Sequence, residues 1–236
     1  MTRTGPQTYV RWMIDGHDYF LACLKQVDDA RLGGSSHLEG WTGKHLLSHV
    51  GHNARALARL AHWAATGEPT PMYPSPSARA QEIEAGARWE TARLRDFVAE
   101  EQERLTTALG GLTAEHWQAP VVTAQGRTVP ARTIPWLRSR EVWVHAVDLP
   151  AGGDFADFPG DFLDALIEDA LIRRRTAQSV AVAARATDRA TEPGVGEGMC
   201  VEGPAVDLAR WLTRRVESPA LRTASGGPLP ELPPWL

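Results

Sequence analysis

The stretch GWTGKHLLSHVGHNARALARLAHWAATG, residues 40–67, is the strongest signal of fold in the chain, because it predicts the longest helix. Thr42 is a good N-cap, since its hydroxyl can accept a hydrogen bond from a backbone N–H of the first turn. Gly67 is typical of the residue that follows a helix, and Pro69 and Pro71 cannot continue one. We therefore predict a helix that starts at Thr42 and stops at Gly67.

Three histidines share one side of this predicted helix. His45, His49 and His52 are spaced i, i+4 and i+7, which places them on one stripe of a helix with 3.6 residues per turn. The spacing alone leaves two interpretations open. The histidines are metal ligands, or they are polar side chains at a helix edge that reach toward water.

The segment REVWVHAVDL, residues 140–149, carries a second polar feature. Glu141 and His145 lie four residues apart among apolar neighbours, and on a helix they project within about 40° of each other. Such a pair forms a surface ion pair or holds one ion between its members. Two histidines and one carboxylate are a common ligand set for catalytic zinc, which keeps a fourth position for water or substrate. A metal site follows if this segment faces the histidine stripe.

The first 150 residues as a whole predict a helical bundle. Between Pro120 and Pro130, β-branched pairs flank Gln125-Gly126 and indicate a small hairpin or an irregular loop. Four helical stretches joined by short to medium loops are typical of bundles, and bundle cores commonly house metal sites. Besides the helix already described, the predicted stretches are Gln7–Val27, a short helix followed by a long one within Ala78–Leu109, and Thr133–Leu149.

The helical pattern of the first 150 residues does not continue after residue 150. Glycines and prolines near the change indicate a linker, and helices then alternate with short strands. We therefore predict an α+β chain, with a helical domain at 1–150 and a smaller α/β domain at 151–236. The predicted elements of the second domain are helices at Phe162–Arg175 and Ala205–Thr213, and strands at Ser179–Ala186 and Met199–Gly203.

The composition and charge of the chain argue against several kinds of partner and location. A formal net charge of −4 and a pI near 6.1 argue against a nucleic-acid partner. Two cysteines, Cys23 and Cys200, are too few for a disulfide framework, so we expect a reducing cytoplasm. No run of 18 apolar residues and no basic leader occur, so neither a membrane anchor nor a signal peptide is expected.

Three separated segments resemble the mycothiol-dependent maleylpyruvate isomerases. They are GWTGKHLLSHVGHNARALARLAHWAATGEP, REVWVHAVDL, and VEGPAVDLARWLTRR with the ending LPELPPWL, and the similarity spans nearly the whole chain. The N-terminal domain of that family belongs to the DinB-like four-helix metalloproteins. The resemblance therefore implies a DinB-like domain followed by a C-terminal α/β domain like the sterol-carrier fold.

The resemblance also implies a set of site residues. The metal triad of the family, one histidine of the second helix and a Glu and His four apart on the fourth, carries over to His49, Glu141 and His145. These would hold Zn²⁺ or another divalent metal, with mycothiol as the second cofactor. His45 and Asn53, each one turn from His49, are expected to contact the cofactor. His52 and Arg55 are expected at the pocket rim and on the solvated helix face.

The activity implied is a cis–trans isomerisation in gentisate-type aromatic catabolism. A thiolate adds to the cis double bond of maleylpyruvate, the adduct rotates about the resulting single bond, and expulsion of the thiolate leaves fumarylpyruvate. The substrate is a dianion, and arginine binds carboxylates through a two-pronged hydrogen bond. Arg215, in the segment ARWLTRR, is the expected catalytic arginine ahead of Arg214 and Arg222, although each also suits a surface position.

Two other functions remain open on the same scaffold. A mycothiol S-transferase would use the same metal and thiol but consume the thiol by conjugating it to electrophiles. A non-catalytic protein that binds a metal or a ligand would show no thiol-dependent turnover. For the isomerase we expect a monomer whose partners are a small-molecule substrate and a low-molecular-weight thiol, with no nucleic acid and no membrane.

Overall fold

The protein, in a computed structural model, is described at residues 5–176, 181–189, 198–215 and 219–233. It forms two compact units, Thr2–Gly153 and Asp154–Leu236. The fold class is α+β with a helical N-terminal part, as predicted. That residues 1–150 and 151–236 fold as independent domains stays a prediction.

The N-terminal unit contains six α-helices and one small hairpin among its described residues. Strands β1 (Pro120–Val122) and β2 (Thr128–Pro130) pair antiparallel with Val121 opposite Val129, so the segment is a hairpin and not an irregular loop. The helices are α1 (Pro6–Lys25), α2 (Asp29–Gly33), α3 (Gly43–Thr66), α4 (Ala78–Gly86), α5 (Thr91–Gly110) and α6 (Ile134–Asp148).

Helix α3 begins and ends where the sequence predicts. The Thr42 hydroxyl accepts a hydrogen bond from the backbone N–H of His45 at 3.3 Å, and the His45 ring reaches back to the backbone N–H of Thr42 at 3.2 Å. Gly67 has a φ of 75°, a left-handed conformation that glycine adopts without steric cost. The capped α3 is the central element of the unit.

Most of the other helices of this unit pack against α3. Helix α3 contacts α4, α5 and α6, and α1 packs along α6. Gly51 of α3 lies so close to Phe97 of α5 that a Cβ at residue 51 would fall 2.3 Å from the ring. Between α1 and α6, the Trp143 indole N–H donates to the Trp12 carbonyl at 2.9 Å. The direct contact between α3 and α6 places these two helices against each other.

The C-terminal unit is a small α/β layer. Strand β3 (Val182–Ala186) pairs parallel to β4 (Met199–Gly203), and β5 (Arg222–Thr223) pairs antiparallel to the other edge of β4. The helices are α7 (Gly160–Thr176) and α8 (Ala205–Leu212). The predicted strand Ser179–Ala186 begins instead at Val182, and its residues 179–180 lie outside the described ranges. Strand β5 was not predicted.

Across the part of the chain that is described, no helix combines the length and the hydropathy that a membrane span requires.

Candidate metal centre

Helices α3 and α6 bring His49, Glu141 and His145 to one point. Nε2 of His49 lies 2.9 Å from Oε2 of Glu141 and 3.2 Å from Nε2 of His145. The third edge of this triangle, from Nε2 of His145 to Oε2 of Glu141, measures 3.4 Å. One turn of α6 separates Glu141 from His145, as the four-residue spacing indicates, and His49 of α3 faces both.

The triangle fits a tetrahedral metal ion. Zinc binds nitrogen and oxygen ligands at about 2.0–2.2 Å, so two ligand atoms at the tetrahedral angle lie about 3.3 Å apart. The three ligand atoms here are 2.9–3.4 Å apart, so a slight outward movement suffices to surround an ion. Two imidazole nitrogens and a carboxylate oxygen also form a donor set suited to zinc and its neighbours. The three residues are therefore a candidate metal-binding triad.

Hydrogen bonds hold Glu141 in its anionic form. Burial alone would raise the pKa of Glu141, but the hydrogen bonds from His145 and His49 outweigh it and keep the pKa well below its usual value. Burial lowers the pKa of His49 to about 4, against the opposing hydrogen bond to Glu141. At neutral pH Glu141 is thus a carboxylate and His49 is neutral, which are the forms that bind metal.

His145 has an additional partner that sequence reasoning missed. Its Nδ1 donates to Oδ2 of Asp148 at 2.7 Å, and Asp148 is 1% exposed. Burial would lower the pKa of His145, but the hydrogen bonds to Asp148 and Glu141 outweigh burial and raise it. The signal was present in the sequence, since a carboxylate three residues after a helical histidine lies on the same face.

A buried arginine lies next to the triad and was also missed. Arg138 belongs to the same stripe of α6 as Glu141, is 0% exposed, and its Nη1 donates to Val50 O at 2.7 Å and to Asn53 Oδ1 at 3.0 Å. Its Nε donates to Gln102 of α5 at 2.8 Å. Arg138 thereby links α3, α5 and α6. Asn53, expected at the cofactor, is buried with its side-chain oxygen engaged by this arginine.

The other two histidines of α3 lie outside the triad. Nδ1 of His45 is 2.7 Å from the Thr42 hydroxyl as part of the helix cap, and its Nε2 is 3.5 Å from Glu84. The His52 ring packs against Phe97, with ring centroids 4.8 Å apart, and its Nδ1 lies 2.8 Å from the carbonyl of Ser48. Geometry thus separates three histidines that their spacing leaves equivalent.

The expected arginines have different surroundings. Arg55 is half-buried and its Nη2 lies 2.7 Å from the buried carboxylate of Glu101, so it is not a purely solvated side chain. Arg215 belongs to the C-terminal unit, where its Nη1 donates to the carbonyl of Thr213 at 2.7 Å. Arg214 and Arg215 both line a cavity of about 470 Å³ within that unit. Arg222 is exposed on β5.

Known proteins resemble the chain over nearly its full length. The family model of the mycothiol maleylpyruvate isomerase N-terminal domain matches residues 14–150. A crystal structure of the mycothiol-dependent maleylpyruvate isomerase matches with a TM-score of 0.90 and 36% sequence identity, covering 98% of both chains. A second crystal structure, of a mutant with one histidine replaced by alanine, matches with the same TM-score, identity and coverage. No curated protein matches the chain.

Proposed function

Because the chain belongs to the mycothiol-dependent maleylpyruvate isomerase family, we propose that it is an isomerase that converts maleylpyruvate into fumarylpyruvate with mycothiol as cofactor. The observation that carries the proposal is the convergence of His49, Glu141 and His145 in a chain 36% identical to such an isomerase over 98% of its length. We propose Zn²⁺ as the metal, with another divalent ion as the alternative.

The three ligands suit the chemistry of a thiol. A divalent metal held there would convert a bound thiol into its thiolate, the form that adds reversibly to a cis double bond. Glu141 supplies a single negative charge and the neutral histidines supply none, so the three ligands would leave one net positive charge on a divalent ion. That charge favours the anionic thiolate over the neutral thiol, so the carboxylates of a dianionic substrate need a further cationic group. Three protein ligands also leave a position open.

Other residues of the chain have proposed roles in binding. Arg215 would bind a substrate carboxylate through its two-pronged guanidinium group. Asn53 has its oxygen occupied by Arg138, so its amide N–H groups are the part available to mycothiol. His45, one turn before His49, would contact the same cofactor with the imidazole edge that does not cap α3.

A turnover assay tests the proposed activity. The purified protein, loaded with zinc, is mixed with maleylpyruvate with and without mycothiol, and the geometry of the product and the amount of free thiol are followed. We expect fumarylpyruvate only when mycothiol is present, with the thiol undiminished at the end. Loss of thiol in proportion to product would indicate an S-transferase instead. Tight metal binding without turnover would indicate a non-catalytic metal-binding protein.

We further propose that the protein acts as a monomer in the cytoplasm, with the thiol and the substrate as its partners. Neither Cys23 nor Cys200 forms a disulfide in the described part of the chain, which suits a reducing compartment. Sedimentation of the purified protein tests the monomer, because a dimer would have twice the mass.

A further inference from the structure

We propose that Asp148 is a positioning residue that fixes the ring of His145 so that Nε2 of this histidine points at the metal. The inference rests on the proposed metal centre, and it concerns a residue outside the ligand triad. Oδ2 of Asp148 accepts a hydrogen bond from Nδ1 of His145 at 2.7 Å. A carboxylate can only accept, so Nδ1 carries a proton, and Nε2, which faces Glu141 at 3.4 Å, is the nitrogen left to bind a metal ion.

The position of Asp148 is unfavourable for an anion unless a partner compensates its charge. Asp148 is the last residue of α6 and is 1% exposed. The C-terminal end of a helix carries a partial negative charge, and burial removes the carboxylate from water. An imidazole that donates to Asp148 while its other nitrogen holds a cation offsets both costs. The hydrogen bond to His145 therefore gives a physical reason for a carboxylate at this position.

The surrounding backbone keeps Asp148 in place. The carbonyl of Asp148 accepts a hydrogen bond from the backbone N–H of His37 at 3.1 Å. Nδ1 of His37 lies 2.9 Å from the carbonyl of Val147. The loop before α3 thus binds the end of α6 at two adjacent residues. These bonds fix the backbone at the end of α6, and the three-residue spacing on that helix places the Asp148 carboxylate on the side of His145.

The second histidine ligand has no equivalent support. Among the residues that the structure describes, none hydrogen-bonds the buried Nδ1 of His49. The His49 ring instead has the Trp41 ring at its edge, with centroids 5.4 Å apart. Of the two imidazoles, His145 is therefore the one with its orientation set by a carboxylate. Removing that carboxylate should weaken metal binding without removing a ligand.

The test compares Asp148→Asn with Glu101→Gln by competition with a chelator. Glu101 is a matched control, because it is a buried carboxylate of the same unit that pairs with Arg55 and lies outside the triad. For Asp148→Asn we expect zinc to dissociate about 10 to 100 times more readily. For Glu101→Gln we expect the zinc dissociation constant of the unaltered protein, even if the variant melts at a lower temperature.

A second readout is the side-chain NMR spectrum of ¹⁵N-labelled histidine in the zinc-loaded protein. A slowly exchanging Nδ1–H of His145 is expected in the unaltered protein and in Glu101→Gln, and faster exchange of this proton is expected in Asp148→Asn, because a neutral amide oxygen is a weaker acceptor than a carboxylate. An unchanged dissociation constant and an unchanged Nδ1–H signal in Asp148→Asn would overturn the inference while leaving the proposed function intact. Failure of the unaltered protein to bind any divalent metal would overturn both.

Discussion

Individual residues decide which histidine of α3 serves the candidate metal centre. The spacing makes His45, His49 and His52 equivalent, and only the partners distinguish them. His45 contacts Thr42 in the helix cap, and His49 faces Glu141. The ring of His52 packs against an aromatic ring. The sequence pattern alone could not make this choice, because the rotation of α3 is set by packing against its neighbours. The family resemblance had indicated His49.

Replacement of His49 tests this choice. We expect His49→Ala to lose stoichiometric zinc, because two ligands remain of three. His52→Ala is the matched control on the same helix, and it should retain zinc since its ring packs on Phe97 and lies outside the triad. Metal analysis after dialysis measures both. Full zinc content in His49→Ala together with loss in His52→Ala would show that the ligand assignment is wrong.

A second prediction at this scale concerns His17 and acid stability. Burial lowers the pKa of His17 to about 3, with a smaller contribution from the positive charge of Arg138. An unfolded histidine has a pKa of about 6.5, so between these two values the unfolded chain binds a proton that the folded chain does not. The free energy of unfolding therefore falls with falling pH, by up to about 1.4 kcal/mol per pH unit from this group.

Urea unfolding at pH 7 and at pH 5 checks this prediction. We expect His17→Gln to show a smaller loss of stability between the two values than the unaltered protein. The depressed pKa of His49 acts in the same direction, so a residual loss remains in the variant. Equal losses in both proteins would contradict the assigned role of His17.

At the scale of elements, much of the fold follows from the sequence. The boundaries of α3 follow from Thr42 and Gly67, and the hairpin follows from β-branched pairs around a Gln-Gly turn. The two-residue β5 is too short to leave a pattern, and the one-turn α2 leaves little more. Arg138 was missed for a different reason. A buried arginine among neutral acceptors cannot be distinguished from a surface arginine until its helix neighbours are known.

The contact between α3 and α5 gives a prediction at this scale. A Cβ at residue 51 would lie 2.3 Å from Cε1 and 2.4 Å from Cδ1 of the buried Phe97 ring. Gly51→Ala should therefore destabilise the protein by about 1–3 kcal/mol through overpacking, although alanine favours helices. A Cβ at Gly110, at the exposed end of α5, would meet no heavy atom of the described chain within 4 Å apart from its chain neighbours and its own helix backbone. Gly110→Ala should therefore raise the free energy of unfolding by up to about 1 kcal/mol.

Urea unfolding of both glycine variants measures the difference. If Gly51→Ala were as stable as Gly110→Ala, the close approach of α3 and α5 would not exist in solution.

At the scale of the whole molecule, the three candidate metal ligands all come from the N-terminal unit, whereas Arg215 belongs to the C-terminal unit. We propose that the first unit binds the metal and the thiol, and that an arginine of the second unit binds a substrate carboxylate. The two assignments can be tested separately, because one concerns metal content and the other concerns the substrate.

Arg215→Lys tests the second assignment. Lysine keeps the charge but loses the two-pronged geometry, so kcat/KM for maleylpyruvate should fall about 10 to 100 times, the worth of a charged hydrogen bond. Zinc content should not change. Arg222→Lys, at an exposed position of β5 in the same unit, should behave like the unaltered protein. Equal turnover in Arg215→Lys and Arg222→Lys would remove Arg215 from the proposed mechanism.

We propose that His49, Glu141 and His145 hold a metal ion whose remaining position accepts the thiol of mycothiol. X-ray absorption at the zinc edge tests it most directly. For the zinc-loaded protein we expect nitrogen and oxygen neighbours at about 2.0–2.2 Å, and mycothiol should add one sulfur neighbour at about 2.3 Å. A spectrum that shows no sulfur neighbour at saturating mycothiol, in a sample that isomerises maleylpyruvate, would contradict the claim.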